Sequence, residues 1–191
     1  MKTAIIIHGT PDQEEWDSRE YPSCSNGHWL PWLQKELLLA GYDDVQTPEM
    51  PKAYWPNYFV WKQLLERFEI NKDSILVGHS CGGGFLLRYL SEKQIKIKRL
   101  VLVAPWLDPL KNKDPSFFNF KLDPHLTNRM QVKILYSDND MESIDLSLDI
   151  IRDNINNTTQ FLFKGYGHFC TDDMGTVEFP ELLNICLKGE R

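Results

Sequence analysis

The sequence predicts a domain of the α/β class, a compact three-layer sandwich in which helices cover both faces of a mostly parallel sheet. Short runs of β-branched and aliphatic residues alternate along the chain with longer amphipathic segments. The runs are almost continuously apolar, as strands buried on both faces require. The chain has 191 residues, 42% of them hydrophobic, which is enough for one sizeable core, and no linker or repeat divides it. We therefore expect residues 1–191 to form a single domain.

Each predicted element follows from its local pattern. The strands are assigned to the apolar runs Thr3 to Ile7, Ser74 to Val77, Arg99 to Val103, Val132 to Tyr136 and Thr159 to Phe163. The helices are assigned to the amphipathic segments Leu30 to Ala40, Tyr58 to Phe68, Gly83 to Glu92, Ile144 to Asn154 and Pro180 to Leu187. Gly41 closes the first of these helices, since glycine is common where a helix ends.

The segment 105–130 interrupts this alternation. It contains four prolines together with Trp106, Phe117, Phe118 and Phe120, a composition that suits neither a regular helix nor a strand. A long insertion in a compact domain is often functional. Its aromatic side chains either cover a site or pack against the body of the domain, and the sequence leaves both readings open.

Composition argues against several classes of partner. Lys and Arg total 21 against 27 Asp and Glu, so the formal net charge is −6 and the surface on average repels phosphate backbones and anionic lipid. No apolar run approaches membrane-spanning length, and the first residues lack the pattern of a secretory signal. The four cysteines form no CxxC pair and show no zinc-ligand spacing. We expect a cytoplasmic protein with reduced thiols and no metal site, nucleic-acid partner or membrane partner.

The stretch Gly78-His79-Ser80-Cys81-Gly82 fits the pattern G-x-S-x-G. It lies between a predicted strand and a predicted helix, where this pattern forms a sharp turn that exposes a serine nucleophile. Glycine-rich turns of this kind also bind phosphates, but GHSCGGG matches neither the Walker pattern nor the dinucleotide fingerprint. We therefore predict Ser80 as a nucleophile. Cys81, whose thiol would point away from the apex of the turn, is predicted to pack.

A serine nucleophile requires a general base, and in folds that carry this turn an acid and then a histidine follow the serine along the chain. Only His125 and His168 follow Ser80. His168 lies in a glycine-flanked loop just after the last predicted strand, whereas His125 lies in the insertion, before the candidate acids. His168 is therefore the predicted base.

The acid is expected directly after the fourth predicted strand, where Asp138 and Asp140 occur. We favour Asp140, because Asp138 is so close to the strand end that it suits a turn or cap; Asp138 remains the alternative. Together with Glu142 and Asp149 these residues imitate a calcium loop. Ser143, however, replaces the glycine that such a loop requires, which argues against calcium.

Acyl transfer also needs donors for the developing oxyanion. The amide of Cys81, next after the nucleophile, is one candidate. The loop after the first strand supplies the other, and there Thr10 is the candidate because Pro11 has no N–H. The side chains expected to line the substrate pocket are His8, His79 and Trp106.

These motifs resemble, in order and spacing, those of the small serine hydrolases of the YdeN type, a family that includes the retinoblastoma-binding protein nine type. The matching segments are Ile7-His8-Gly9-Thr10, Gly27-His28-Trp29-Leu30-Pro31-Trp32-Leu33, Val77-Gly78-His79-Ser80-Cys81-Gly82, Arg99-Leu100-Val101-Leu102-Val103-Ala104, Ser137-Asp138-Asn139-Asp140 and Gly167-His168-Phe169. The resemblance extends from Thr3 to Leu187. One departure is Met141-Glu142-Ser143-Ile144, where the family often continues with an apolar residue and proline.

The resemblance implies an α/β-hydrolase fold without a large lid domain, a Ser-His-Asp triad and esterase-like activity on small acyl substrates. Such a triad needs no cofactor, so we expect none. The family's Ser-x-x-Asp pattern supports Asp140, since Ser137 stands three residues before it. The Leu-x-Cys-x-Glu motif for retinoblastoma binding is absent, so no protein partner is carried over. Two alternatives stay open: a non-catalytic interaction module that keeps the fold, and a hydrolase of amides or thioesters.

Overall fold

The computed structural model describes residues 1–188, within which six parallel strands form one sheet in the order β2-β1-β3-β4-β5-β6. The strands are β1 Thr3–Ile7, β2 Asp44–Gln46, β3 Ile75–His79, β4 Arg99–Val103, β5 Gln131–Ser137 and β6 Thr159–Phe163. The helices are α1 Gln13–Asp17, α2 Leu30–Leu39, α3 Tyr58–Leu65, α4 Cys81–Lys93, α5 Glu142–Asn154, α6 Thr171–Met174 and α7 Pro180–Leu187. The predicted α/β class with a parallel sheet is confirmed.

The central strands β1, β3 and β4 are buried along their whole length. Because helices cover both faces of these strands, their sequences are continuous apolar runs, and this pattern predicted them. The edge strand β6 is largely exposed. The sequence did not predict β2, because this three-residue edge strand buries Val45 alone. The short helices α1 and α6 were also missed, since neither buries a residue and neither shows helical periodicity.

The insertion 105–130 has no helix or strand beyond a single 3₁₀ turn at Leu126–Asn128. Phe117 is fully buried, with its ring centroid 5.2 Å from that of Trp61. Arg88 of α4 donates hydrogen bonds to the carbonyls of Ser116 and Phe117, at 2.5 and 2.7 Å. Much of the insertion is thus packed onto the body of the domain by apolar burial and a buried guanidinium.

Within residues 1–188, no helix is both long enough and apolar enough to cross a membrane.

Candidate active site

The predicted site residues lie at the carboxyl edge of the sheet, where the strand order reverses. From β1 the chain passes to β2 on one side, and β3 then pairs with β1 on the other, with Ile7 opposite Gly78. Ligands of open α/β sheets bind in the crevice at such a switch point. Gly9 and Thr10 follow β1 here, and Ser80 follows β3. The topology thus brings together two segments that are about 70 residues apart in sequence.

Ser80 adopts a backbone conformation that side-chain-bearing residues rarely occupy, with φ 52° and ψ −121°. Such a conformation costs about 1–3 kcal/mol and persists only where its surroundings enforce it. Here the Ser80 N–H donates to the Val103 carbonyl at 2.9 Å, and the Ser80 carbonyl accepts the amides of Gly83 and Trp106, both at 3.0 Å. The residue is 8% exposed. The serine is therefore held in a fixed turn between β3 and α4.

Two glycines make this turn sterically possible. A Cβ on Gly78 would lie 2.6 Å from the Gly83 Cα, and one on Gly82 would lie 2.5 Å from the carbonyl oxygens of Ile7 and His8. Both distances are far below van der Waals contact with rigid backbone. The glycines of the G-x-S-x-G pattern are thus required by close packing of the turn against its own helix and against the end of β1.

His168 and Asp140 form a hydrogen-bonded pair. The Nδ1 atom of His168 lies 2.9 and 3.1 Å from the two carboxylate oxygens of Asp140. A carboxylate accepts, so Nδ1 carries the proton and the lone pair of the neutral ring is on Nε2. The Asp140 side chain is 1% exposed and that of His168 18%. The ring of His168 is thus oriented by a buried carboxylate while remaining accessible.

The loop that carries His168 is bound along its backbone by the loop that carries Asp140. Three successive amides, of residues 165–167, donate to the side chains of residues 137–139. Asp138 takes part by accepting the Gly165 N–H at 2.8 Å and is itself exposed. Of the two candidate acids, therefore, Asp140 contacts the imidazole and Asp138 binds the backbone of the histidine loop.

Asp173 fixes the same loop from the other end. Its carboxylate accepts the N–H of His168 at 2.8 Å and that of Cys170 at 3.3 Å. The preceding residue, Gly167, has a φ of +51°, and a Cβ there would collide with the Asp173 side chain. Sequence reasoning missed Asp173; the nearest signal was the acidic pair Asp172-Asp173 shortly after the histidine.

Two aromatic side chains complete the support of the histidine loop. His79 Nε2 donates to the His168 carbonyl at 2.8 Å, and Trp29 Nε1 donates to the Phe169 carbonyl at 3.1 Å. The ring centroids of His79 and His168 are 5.0 Å apart. Burial, together with the nearby His168 and His28, holds the pKa of His79 well below its usual range, so the ring stays neutral. His79, predicted to line the pocket, has Nε2 committed to the backbone.

His8 is also held by backbone partners. Its Nδ1 donates to the Gly9 carbonyl at 2.6 Å, and its Nε2 accepts the Met50 N–H at 2.8 Å. The ring is 2% exposed and packs edge-on against Trp61, and burial lowers its pKa. Trp106, the third predicted pocket residue, is 8% exposed and packs edge-on against Phe118.

One candidate oxyanion donor lies at the start of a helix and the other in the loop after β1. Cys81 is the first residue of α4, where helical amides have no partner within the helix, and its side chain is fully buried. Burial raises the pKa of the Cys81 thiol, so the thiol stays protonated and packs in the core. Thr10 is half-buried and follows Gly9, at which a Cβ would lie 3.0 Å from the Cβ of Ser80.

Together, the parallel sheet, the strained serine at its switch point and the carboxylate-bound histidine define an α/β hydrolase. The chain belongs to the serine hydrolase family, whose model matches residues 20–182. The resemblance to small YdeN-type hydrolases is thereby confirmed at the level of family and fold.

Several solved structures share this fold. The ydeN gene product of B. subtilis is 23% identical, with a TM-score of 0.78 and 97% of each chain covered. A predicted CIB-like hydrolase from Thermoplasma acidophilum is 16% identical, with a TM-score of 0.60 and coverage of 97% of this chain and 84% of that one. Est1E from Butyrivibrio proteoclasticus, with ferulic acid bound, is 15% identical, with a TM-score of 0.56 and coverage of 98% and 87%. No curated protein sequence matches the chain.

Proposed function

We propose that the protein hydrolyses small carboxylic esters, with Ser80 as nucleophile, His168 as general base and Asp140 as the acid that orients the base. The observation that carries this proposal is the pairing of His168 Nδ1 with the buried Asp140 carboxylate, in a loop tied to the residue just before Ser80. An activated serine requires a base that is itself oriented by a third group, and the pair of His168 and Asp140 supplies that orientation.

In the acylation step, Ser80 Oγ attacks the ester carbonyl carbon while His168 Nε2 accepts the hydroxyl proton. The Asp140 carboxylate holds Nδ1–H and stabilises the imidazolium that forms. The tetrahedral intermediate then collapses, the bond from the carbonyl carbon to the alkoxy oxygen breaks, and His168 returns the proton to the departing alcohol. Ser80 is left esterified by the acyl group.

In the deacylation step, water attacks the acyl-enzyme and gives its proton to His168 Nε2. Collapse of the second tetrahedral intermediate releases the carboxylic acid and returns the proton to Ser80 Oγ. In both intermediates the negative oxygen accepts hydrogen bonds from the amides of Cys81 and Thr10. These donors are backbone groups, at the first residue of α4 and in the loop after β1, and a preorganised donor needs little reorganisation during the reaction.

One further feature bears on the size of the substrate and another on its class. The insertion 105–130 packs onto the domain through Phe117 and forms no separate domain, which suits small substrates. Ferulic acid, bound to the structurally similar Est1E, is a carboxylic acid, the class of product that ester hydrolysis releases. The activity requires no cofactor, since every group in the scheme belongs to the chain.

The proposal is tested by labelling with a fluorophosphonate probe, followed by intact mass measurement. Wild-type protein should gain one adduct, and Ser80→Ala and His168→Ala should gain none. His125→Ala is a matched control, because His125 is exposed and lies in the insertion. Hydrolysis of short-chain p-nitrophenyl esters should follow the same order. A folded wild-type protein that refuses the probe would overturn the proposal and favour a binding role for this fold.

A further inference from the structure

A second cluster of reactive side chains lies near the carboxyl end of β1. His8 stands at the end of β1, Cys24 begins the 3₁₀ turn Cys24–Asn26, and Glu49 lies in the loop after β2. The imidazole, thiol and carboxylate each offer one donor atom, and these atoms all lie within 4.8 Å of one another. Three separate segments of the chain thus converge on one point. The spacing of the cysteines along the chain showed no sign of this cluster.

The tautomer of His8 is the one that a metal ligand requires. Its Nδ1–H donates to the Gly9 carbonyl at 2.6 Å, which leaves the lone pair on Nε2. A backbone carbonyl on the far nitrogen is a usual way in which proteins orient a ligating imidazole. Nε2 presently accepts the Met50 N–H at 2.8 Å, so an ion would replace this amide as its partner.

Glu49 is oriented towards the same point. Its Oε2 accepts the Ser25 N–H at 2.8 Å, which fixes the carboxylate. Its Oε1 is buried, has no hydrogen-bond partner of good geometry among residues 1–188, and lies 3.8 Å from His8 Nε2. A buried carboxylate oxygen without a partner is costly, and a cation would satisfy it.

The charge around Cys24 also favours a cation. The thiol of Cys24 is within hydrogen-bonding reach of the Glu49 carboxylate, and the negative charges of Glu49 and Glu15 both act on it. A divalent ion neutralises this negative charge and binds the thiolate directly. Cys24 and Glu49 also line a cavity of about 290 Å³ beside Trp16 and Pro11, which gives an ion and a water ligand a route to the cluster.

We propose that His8 Nε2, Cys24 Sγ and Glu49 Oε1 form a binding site for a divalent transition-metal ion, with zinc the favoured ion and water from the cavity as the fourth ligand. A thiolate, an imidazole and one carboxylate match the ligand preference of zinc, whereas calcium and magnesium select oxygen donors. The site shares no side chain with the proposed triad of Ser80, His168 and Asp140, and its existence does not depend on the proposed hydrolysis.

The site is tested with cobalt as a spectroscopic probe for zinc. The reduced, chelator-free full chain is titrated with Co²⁺, and we expect a near-ultraviolet thiolate charge-transfer band that saturates at one ion per chain and is abolished by added Zn²⁺. Cys24→Ser should remove the band. Glu49→Gln keeps an acceptor for the Ser25 amide but replaces a direct ligand. It should therefore weaken the affinity by more than the roughly tenfold that loss of an outer-shell partner costs.

Cys170→Ser is the matched control, since Cys170 is the other half-buried cysteine, and it should keep the wild-type spectrum. Zinc should also raise the melting temperature of the wild type and of Cys170→Ser but not of Cys24→Ser. The absence of a charge-transfer band in folded wild type, or a band that survives Cys24→Ser, would overturn the proposal. If Cys24→Ser does not fold, the proposal is instead overturned by a cobalt affinity that is unchanged in Glu49→Gln.

Discussion

His79 Nε2 donates a 2.8 Å hydrogen bond to the backbone carbonyl of His168. The residue that precedes the proposed nucleophile thus positions the residue that carries the proposed base. The lowered pKa of His79 keeps this donor neutral, so no positive charge competes with the imidazolium that forms on His168 during the reaction.

This relationship predicts the effect of His79→Gln. Loss of the imidazole donor frees the His168 carbonyl, and a small displacement of the base lowers the rate by as much as about a hundredfold. We therefore expect kcat for a p-nitrophenyl ester to fall by about tenfold to a hundredfold with KM nearly unchanged. His125→Gln is the control and should retain wild-type kinetics. If KM instead rises by a similar factor while kcat is unchanged, His79 acts through substrate binding.

The different contacts of the two candidate acids predict very different values of kcat for Asp140→Asn and Asp138→Asn. An amide at position 140 stabilises the wrong tautomer of His168 and supports no imidazolium, so kcat should fall by about 10⁴-fold. At position 138 an amide oxygen still accepts the Gly165 N–H, so we expect a loss of less than about tenfold. Steady-state kinetics of both variants with one ester make the comparison. Similar or reversed losses would contradict the assignment of Asp140.

Gly82→Ala should destabilise the whole protein rather than the site alone. The added Cβ would lie 2.5 Å from the carbonyl oxygens of Ile7 and His8, so β1 and α4 must separate. We expect the free energy of unfolding in urea to fall by about 3 kcal/mol or more, the upper end for overpacking. Gly27→Ala is the control, because its nearest contact would be an ordinary 3.5 Å and its φ is −85°. Equal stability of the two variants would argue against the close packing of the turn.

The sequence predicted the fold because five of the six strands within residues 1–188 are apolar or β-branched runs separated by amphipathic segments. The bounds of β1, β4 and β6 agree with the prediction, and those of β3 and β5 differ by one or two residues at either end. The helix α3 ends at Leu65, before the predicted Phe68. There the burial that sustains helical periodicity stops, and the chain turns towards β3.

The predicted site residues could be named from sequence because the order of serine, acid and histidine follows the order of the strands. The hydrogen bonds that support the histidine loop could not be predicted from sequence. The bonds from His79 to His168 and from Trp29 to Phe169 join residues 89 and 140 positions apart, and their direction depends on ring tautomers and loop conformation. The His8, Cys24 and Glu49 cluster was hidden for the same reason, since no local spacing encodes a convergence of three loops.

The buried side chain of Lys133 should make the free energy of unfolding depend on pH. The side chain lies buried on β5 and donates to the Ile185 carbonyl at 2.9 Å. Burial, and next the charge of Arg99, lower the pKa of Lys133 to about 8 from its usual 10.5. Below about pH 8 both the folded and the unfolded chain hold this proton, and the folded state bears the full penalty of a buried charge. Between the two pKa values the folded state has released the proton while the unfolded state retains it.

The contribution of Lys133 to the free energy of unfolding should therefore become more favourable as the pH rises from about 8 to about 10.5. We expect wild type to gain stability relative to Lys133→Met when urea unfolding is compared at about pH 7 and about pH 10. Lys121→Met, at an exposed position, controls for the loss of a lysine charge. If the stability of the wild type does not rise relative to that of Lys133→Met between these two pH values, Lys133 keeps its proton in the folded state, as a lysine in contact with water does.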